Sequence, residues 1–557
     1  MLNISKNNTE LLSRSMYDCL AENADQIMDK YAMEYFNIHY TYKRLFDMIK
    51  GVRKALTSCG IRRGDRVAIA AITTPETVAL TYACSALGVS LIMLDVRYNA
   101  SEIIEICRKN DVKMLFDMDW NVRDLKAQMK NIMDLMVVVV SPVESMPAFV
   151  RFGRRMGNIF QRKTFAENDI LFSWNSFICM GESAGDEGQN CHDGDTEICF
   201  STSGTTGKRK LVVLTNNRIN LAVSQHFIPE FSLSAERSFL SVMPIFACYG
   251  MVTSVHCPLC LGMEMIIYPI FNCDKIPQII ASKKPDYFAG VPAFYEKMLT
   301  SKYLKDADLS FLKGLLSGGE SISAEKETRI NTFLKEHGCN VKLSQGYGMT
   351  EVAAGVCLQR EEGYEAGTVG GAFGYASVKI VKQGTTEEAA PGENGEICLN
   401  TPCMMTGYLG DQDATDEVIK LHDDGIKWIH TGDIGHYTEL GNLQIEGRIK
   451  KMMVTENGTK IFPNYIEGKI TDLDCVFDCA VVPMKKDGGT CVNRIKIYVV
   501  PEMKEDTTEK SIKNMICKMF EADNYRFIAG GDIEIIRSIP VTGFGKHDYQ
   551  KLQEMAA

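Results

Sequence analysis

No stretch of this 557-residue chain contains the roughly 18 uninterrupted apolar residues that a membrane-crossing helix needs. The opening residues, Met1-Leu-Asn-Ile-Ser-Lys-Asn-Asn8, lack the apolar core of a secretion signal. Together these absences lead to the expectation of a cytoplasmic protein. There is also no basic half and no long Lys/Arg tract. With 61 Lys and Arg against 71 Asp and Glu, the net charge is −10. That balance argues against a nucleic-acid partner and requires any anion site to be local. Internal repeats and low-complexity segments are absent as well, so the chain reads as globular throughout.

What is present is enough apolar residue, 45%, for cores in at least two domains. Nineteen cysteines without a signal peptide read as reduced thiols used as small hydrophobes. His256-Cys257-Pro258-Leu259-Cys260 is a single C-x-x-C with no second pair at zinc-site spacing, which favours buried packing over a metal site. The first half alternates helix-like segments (Tyr42 to Ser58, Thr77 to Leu87) with strand-like ones (Arg66 to Ala71, Leu91 to Leu94, Met136 to Val140). Such alternation predicts an α/β layered fold with parallel-type sheets. From about 364 to 446, short strand candidates separated by Gly/Asn/Asp turns predict a β-rich subdomain. Beyond Gly447 a small α/β pattern resumes, with strands at Cys479 to Val482 and Ile495 to Val500 and a helix at Lys510 to Glu521. In residues 149–163, Phe149, Phe152, Met156, Ile159 and Phe160 share one helical face, opposite Arg151, Arg154, Arg155 and Arg162. A surface helix packed on the large domain is favoured there over membrane contact.

Directly after the apolar stretch Ile198-Cys199-Phe200 comes Ser201-Thr202-Ser203-Gly204-Thr205-Thr206-Gly207-Lys208-Arg209-Lys210. Glycines let backbone amides approach an anion, hydroxyls add donors, and lysines neutralise phosphate charge. The run is not a Walker A sequence, which would need glycine at Thr202 and Ser or Thr at Arg209. Taken alone, it reads equally well as a solvated flexible loop. Downstream, however, come Tyr347-Gly-Met-Thr350-Glu351, Gly407-Tyr408, Thr431-Gly432-Asp433, Gly447-Arg448-Ile-Lys450 and Thr542-Gly-Phe-Gly545-Lys546, with Thr41-Tyr42 and Gly60 to Ile69 upstream. In this order, over nearly the whole chain, the motifs resemble those of the acyl-adenylate-forming superfamily, closest in kind to its acyl-CoA ligases.

The resemblance implies ATP, Mg2+ and CoA as cofactors and a carboxylic acid as substrate. It also implies a large N-terminal domain (residues 1–449) and a small mobile C-terminal domain (450–557) hinged at Lys450. Thr202, Ser203, Gly204, Thr205, Thr206, Gly207, Lys208 and Lys210 would then wrap the β- and γ-phosphates. Thr350 would touch the α-phosphate and Glu351 would hold Mg2+, a hard cation that prefers carboxylate oxygen. Tyr347 would lie against adenine, and Gly318, Gly319 and Glu320 would line the base pocket. Asp433 would accept from both ribose hydroxyls, with Arg448 nearby. Lys546 would reach between the carboxylate and α-phosphate oxygens, and Gly458 would pass the pantetheine arm. This set suits phosphoryl chemistry that needs positioning and charge neutralisation more than a protein nucleophile.

Two departures stand out. The phosphate loop ends Lys208-Arg209-Lys210-Leu211 where the family commonly has Lys-Pro-Lys-Gly, which bears on loop stiffness. Ala247, at a position commonly His or aromatic in acyl ligases and Asp in amino-acid-activating domains, offers no partner to an α-ammonium. With apolar or small neighbours Phe246, Cys248, Met251, Val352 and Ala353, it points to an apolar acid, plausibly a medium or long acyl chain. Loading of an acyl-carrier-protein phosphopantetheine is the alternative enzyme reading. A degenerate nucleotide- or acyl-binding protein is the alternative of another class, and the joint presence of Glu351, Asp433, Arg448 and Lys546 speaks against it. The expected behaviour of Lys546→Ala follows from this reading: loss of adenylate formation with supplied acyl-AMP still converted to thioester, measured as separate half-reactions. Equal loss in both would exclude a role confined to one domain arrangement.

Overall fold

The computed structural model describes residues 13–22, 24–128, 135–146, 170–184, 188–202, 209–227, 233–454, 460–485, 492–502, 508–522, 532–540 and 547–556. The amphipathic segment at 149–163 therefore lies outside the described residues. So do Ser203 to Lys208, Gly458 and Lys546.

Local sequence explains the helices that sit between the sheets. Thr74 and Thr77 exchange side-chain-to-backbone bonds in a capping box, Pro75 opens the helix Pro75–Leu87, and Gly88 closes it at φ 66°. Every residue of this helix is buried, with its polar side chains partnered in place, Tyr82 by His256, Ser85 by Asn216 and Glu76 by Ser145. The preceding helix, Tyr42–Ser58, is capped by Thr41 and buries one face through Leu45, Ile49, Val52 and Leu56.

Two large sheets flank these helices. One has eight strands, with Arg66–Ala70 and Ser90–Met93 at its middle, running out through Val112–Met118 and Met136–Val140 to Leu171–Ser173. Its other flank passes through Glu197–Thr202 and Lys210–Thr215 to Gly407–Tyr408. The pairs among the strands from Ser90–Met93 to Leu171–Ser173 are all parallel, as is the pairing of Ser90–Met93 with Glu197–Thr202. The second sheet has nine strands, with a parallel centre from Glu264–Ile267 through Ser238–Ser241, Tyr287–Gly290 and Gly314–Ser317 to Leu343–Tyr347. The early strand Tyr31–Tyr35 joins this second sheet beside Glu264–Ile267, so the two sheets are interleaved in sequence. The largest core cluster takes residues from both, including Val67, Met93 and Phe116 of one and Met33, Phe239 and Met265 of the other.

The β-rich segment forms a third sheet from Ser377–Val381, Gly395–Asn400 and Lys427–Tyr437, with Ile419–Leu421 and Leu443–Arg448 both against the last of these. It is not self-contained, because Gly371–Ala372 extends the nine-stranded sheet and Gly407–Tyr408 the eight-stranded one. Past Met453 a small unit carries its own cores around the antiparallel strands Val476–Lys485 and Val492–Pro501, with Ile533–Ile535 parallel to the second. Among the described residues no helix is long and apolar enough to cross a membrane. The described cysteines are free thiols. His256 uses both ring nitrogens within the core, toward Tyr82 and Asn220 at 2.9 Å each, and burial pulls its pKa down to about 3. It is a packed core residue.

One buried carboxylate ties the second sheet to the β-rich sheet. Glu327, on the helix Ala324–Glu336, has no exposed surface. It accepts from Gln345 and Gln359 amides, from the Tyr364 hydroxyl at 2.6 Å and from the Gly367 amide at 2.8 Å. Glu327→Gln keeps the shape but sets an NH2 against donors, and should cost about 2–4 kcal/mol. The check is the urea midpoint and melting temperature; an unchanged midpoint would remove Glu327 as the tie.

Candidate functional site

The C-terminal ends of several strands converge where the second sheet meets the β-rich sheet. Strand Leu343–Tyr347 delivers Tyr347, and the chain then turns sharply through Gly348 into the short 3-10 turn Thr350–Val352. A Cβ on Gly348 would sit 1.7 Å from the Ala354 carbonyl oxygen, so the turn admits only glycine there. Ala353 and Ala354 follow at φ 56° and 88°, two successive non-glycine residues in the left-handed region. Strain of about 1–3 kcal/mol per residue is stored beside Glu351 in this way.

Glu351 is buried, and its Oε1 accepts the Tyr408 hydroxyl at 2.8 Å. Burial raises its pKa, while the Tyr408 hydrogen bond and the charges of Arg448 and Lys210 pull it back. A carboxylate thus faces two cations. Lys210 reaches it from the strand Lys210–Thr215, its ammonium 4.5 Å from the centre of the Tyr408 ring. Tyr408 comes from the two-residue strand Gly407–Tyr408, paired to Val213 and Val212 of that strand.

Asp433 and Arg448 are register partners on adjacent antiparallel strands. Asp433 is almost fully buried, accepts from Tyr347 at 2.7 Å and pairs with the Arg448 Nε at 2.9 Å. Its own amide donates to Thr431 Oγ1 at 3.0 Å, and Glu396 accepts the Gly432 amide at 3.1 Å. The Thr431-Gly432-Asp433 stretch of its strand is thereby held in place. Tyr347, Asp433 and Arg448 form one bonded cluster, and Glu351 with Tyr408 and the flanking Lys210 a second, close enough for the charge of Arg448 to act on Glu351, from sequence positions more than two hundred residues apart.

Thr202 and Lys210, on either side of residues 203–208, face each other as the last antiparallel pair of their two strands. Ser201 bonds the hydroxyl of Tyr98. Arg209 is turned away toward Glu102, at 2.6 Å, and lies 3.7 Å over the Tyr98 ring. Its departure from the family's proline therefore anchors the loop's exit. Tyr98 and Tyr408 are site residues that pattern reading left without a role. The only trace of Tyr408 was its place in the motif order, because its contact with Glu351 spans 57 positions.

The other expected residues fall around this group. Gly318 lies at the end of Gly314–Ser317 against the Tyr249 ring, whose hydroxyl donates to the Gly290 carbonyl at 3.1 Å. Phe246, Cys248, Met251 and Ala353 share the largest core, with Ala247 half-buried among them, whereas Val352 packs with Tyr347 in the core of the β-rich side. The charge of Glu351 acts on the Cys248 thiol, which places that end of the apolar group next to the carboxylate. Glu320 is exposed and its charge acts on His547 and Tyr549. Lys450 is exposed in the short turn Ile449–Lys451. His547, next to Lys546, meets Asp478 at 3.0 Å, and Asp478 also faces Lys326, which bonds Glu296 at 2.9 Å. With Ser323 to Asp472 and Arg329 to Glu502, this seats the small C-terminal unit on the helix Ala324–Glu336.

A sequence model of the family described as AMP-binding enzyme matches residues 20–409. A long-chain-fatty-acid–CoA ligase of Bacillus subtilis (strain 168) is 26% identical over 90% of this chain and 88% of its own. A 4-coumarate–CoA ligase of Vanilla planifolia is 26% identical over 86% and 82%. In shape, the chain is similar to the crystal structure of the anthranilate CoA ligase AuaEII in complex with anthranoyl-AMP. That likeness has a TM-score of 0.83 and 18% identity and covers 99% of both chains, and it shows the fold.

The His547–Asp478 pair carries a pH signature. Burial alone would lower the His547 pKa, but the hydrogen bond and charge of Asp478, with Glu467 and Glu320, raise it to about 9. A raised imidazole pKa contributes its full stability below the ordinary value of 6.5 and loses it as pH rises through 9. Wild type should lose roughly 2–3 kcal/mol across that window. Asp478→Asn should flatten the slope in a pH series of thermal melts; an equal slope in both proteins would assign it elsewhere.

Proposed function

This chain belongs to the AMP-binding enzyme family, and we propose that it activates a carboxylic acid with ATP and passes the acyl group to CoA. In the first step a carboxylate oxygen attacks the α-phosphorus, the bond to the β-phosphate oxygen breaks, and pyrophosphate leaves. In the second, the thiol sulfur bonds to the acyl carbon, its proton is lost to solvent, and AMP departs with the electron pair of its acyl–oxygen bond. The observation that carries this reading is the polar group in which the Tyr347–Asp433–Arg448 cluster meets Glu351, Tyr408 and Lys210.

Within that group, Asp433 presents a buried acceptor to ribose hydroxyls, pre-oriented by Tyr347 and Arg448. Lys210 and the hydroxyls of the preceding run face the phosphates, and Thr350 the α-phosphate. Glu351 fits Mg2+: it is a hard oxygen donor, with Tyr408 fixing one oxygen. Bound there, the cation would neutralise phosphate charge. Lys546 supplies an ammonium to the charge that develops during adenylation. The turn at Lys450 is the pivot, and Gly458 the passage for pantetheine.

An apolar acid, a fatty acyl chain in particular, is the substrate reading supported best. Ala247 leads directly into the π-helical turn Gly250–His256, and the far side of that segment borders an apolar space lined by Leu233, Phe239, Thr253, Cys257, Tyr287 and Leu316. The cavity itself is about 20 Å3, so a hydrocarbon tail would enter only as the lining side chains move apart, and their apolar character then leaves few polar groups to be unpaired. The B. subtilis fatty-acid relative agrees with a tail, and the 4-coumarate relative with a flat aryl group.

Pyrophosphate release over fatty, aryl and amino acids, with and without CoA, tests the activity and its class together. Release dependent on apolar acids, with thioester formed when CoA is added, is expected; no acid-dependent release would overturn the proposal. Ala247→Trp should reduce use of long acids about tenfold or more, since overpacking costs on the order of 1–3 kcal/mol, while two- and three-carbon acids still fit. Chain-length profiles of kcat/KM of the same shape in both proteins would move the acyl pocket away from Ala247.

A further inference from the structure

The β-rich sheet buries a second chemically distinct group that the adenylation reading does not use. Cys398 and His430 are register partners on the adjacent antiparallel strands Gly395–Asn400 and Lys427–Tyr437. His422 directly follows the edge strand Ile419–Leu421, which pairs with the other side of Lys427–Tyr437. Cys398 has no exposed surface, and His422 and His430 retain 4% and 5%. One ligand-capable atom from each lies within 4.8 Å of the other two.

Hydrogen bonding alone leaves this group half used. Glu396 accepts the Nδ1–H of His430 at 2.9 Å, and its other oxygen takes the Gly432 amide. The neutral His430 ring then carries its lone pair on Nε2, 3.0 Å from Nε2 of His422. His422 can donate across that gap, but its buried Nδ1 then has no hydrogen-bond partner among the described residues, and Cys398 is a free thiol. A packed polar core would not be expected to bring a third, unused ligand to the same point. An imidazole oriented by a carboxylate, a second imidazole and a thiol are together the donor set that a borderline-soft divalent cation selects.

We propose that Cys398, His422 and His430 bind one zinc-class divalent cation, with water as fourth ligand and Glu396 orienting His430 from behind. Tetrahedral zinc places nitrogen and sulfur ligand atoms about 3.3–3.6 Å apart. In the present structure the two Nε2 atoms stand 3.0 Å apart and all three ligand atoms lie within 4.8 Å of one another. Two ammonium groups, Lys420 and Lys379, act on the Cys398 thiol, and Lys379 is itself neutralised by Asp424 at 2.6 Å and Glu388 at 3.3 Å. Burial pushes the Cys398 thiol up to about 12, so the cation must displace a proton to take the sulfur as thiolate. Occupancy would clamp three strands, including the one that carries Thr431 to Asp433, and its role is structural.

The test uses the full-length protein, stripped with a chelator and dialysed against zinc or cobalt(II). Wild type should retain one zinc per chain by mass spectrometry and, with cobalt, develop a near-ultraviolet thiolate charge-transfer band. Cys398→Ser should abolish the band, and His422→Gln should weaken zinc at least tenfold, with Cys59→Ser as a control that changes neither. Zinc should also raise the melting temperature of wild type but not of Cys398→Ser. Wild type that takes up no cation, or zinc held equally by Cys398→Ser and His422→Gln, would overturn the proposal.

Discussion

The carboxylate of Asp433 accepts the Tyr347 hydroxyl on one oxygen and holds Arg448 on the other, and it does so almost entirely out of water. A buried acceptor of this kind is stable only while both partners stay in place, so it locks the end of the nine-stranded sheet to the two long strands of the β-rich sheet. The position of Glu351 then follows, because it leaves the same strand end through the strained Gly348 to Ala354 turn. Tyr408 and Lys210, from the edge of the eight-stranded sheet, close on it from the other side. Three sheets thus meet at one polar group, and the site is a property of their junction.

Glu327 supports that junction from beneath. Its partners Gln345 and Gln359 sit on and beside the strand that ends in Tyr347, and Tyr364 and Gly367 begin the β-rich segment. The same helix that carries Glu327 also presents Ser323, Lys326 and Arg329 to Asp472, Asp478 and Glu502 of the small unit. One helix therefore serves the buried frame on one face and an ion-paired contact on the other. The inner face is fully dehydrated, and the outer one combines the half-exposed Arg329–Glu502 pair with the largely buried charges of Lys326, Asp478 and His547.

Much of this was legible from pattern. The helix at Tyr42 to Ser58 and the strand at Met136 to Val140 stand where periodicity and bounding residues place them. The strands at Cys479 to Val482 and Ile495 to Val500 fall inside longer ones, Val476–Lys485 and Val492–Pro501. Their ends are set by pairing with each other, which no single segment records. The motif order marked Glu351, Asp433, Arg448 and Lys210 as polar residues of one family pattern, and the structure brings these together. Arg209, Tyr98 and Tyr408 escaped because each acts through a side-chain contact formed only on folding.

By itself the chain determined its element types, its alternating α/β class and the family its motifs mark, all of which rest on local periodicity or motif order. Only the tertiary structure decided which sheet Tyr31–Tyr35 joins, and that Gly407–Tyr408 leaves the β-rich segment to pair with Lys210–Thr215. It also decided that His256 satisfies both nitrogens in the core while Cys398, His422 and His430 converge. The cysteines of the C-x-x-C at Cys257 and Cys260 are packed in the core on a short helix, as their lack of a second pair implied. The convergent set has no spacing signature, since antiparallel register brings residues 398 and 430 side by side whatever the length of chain between them.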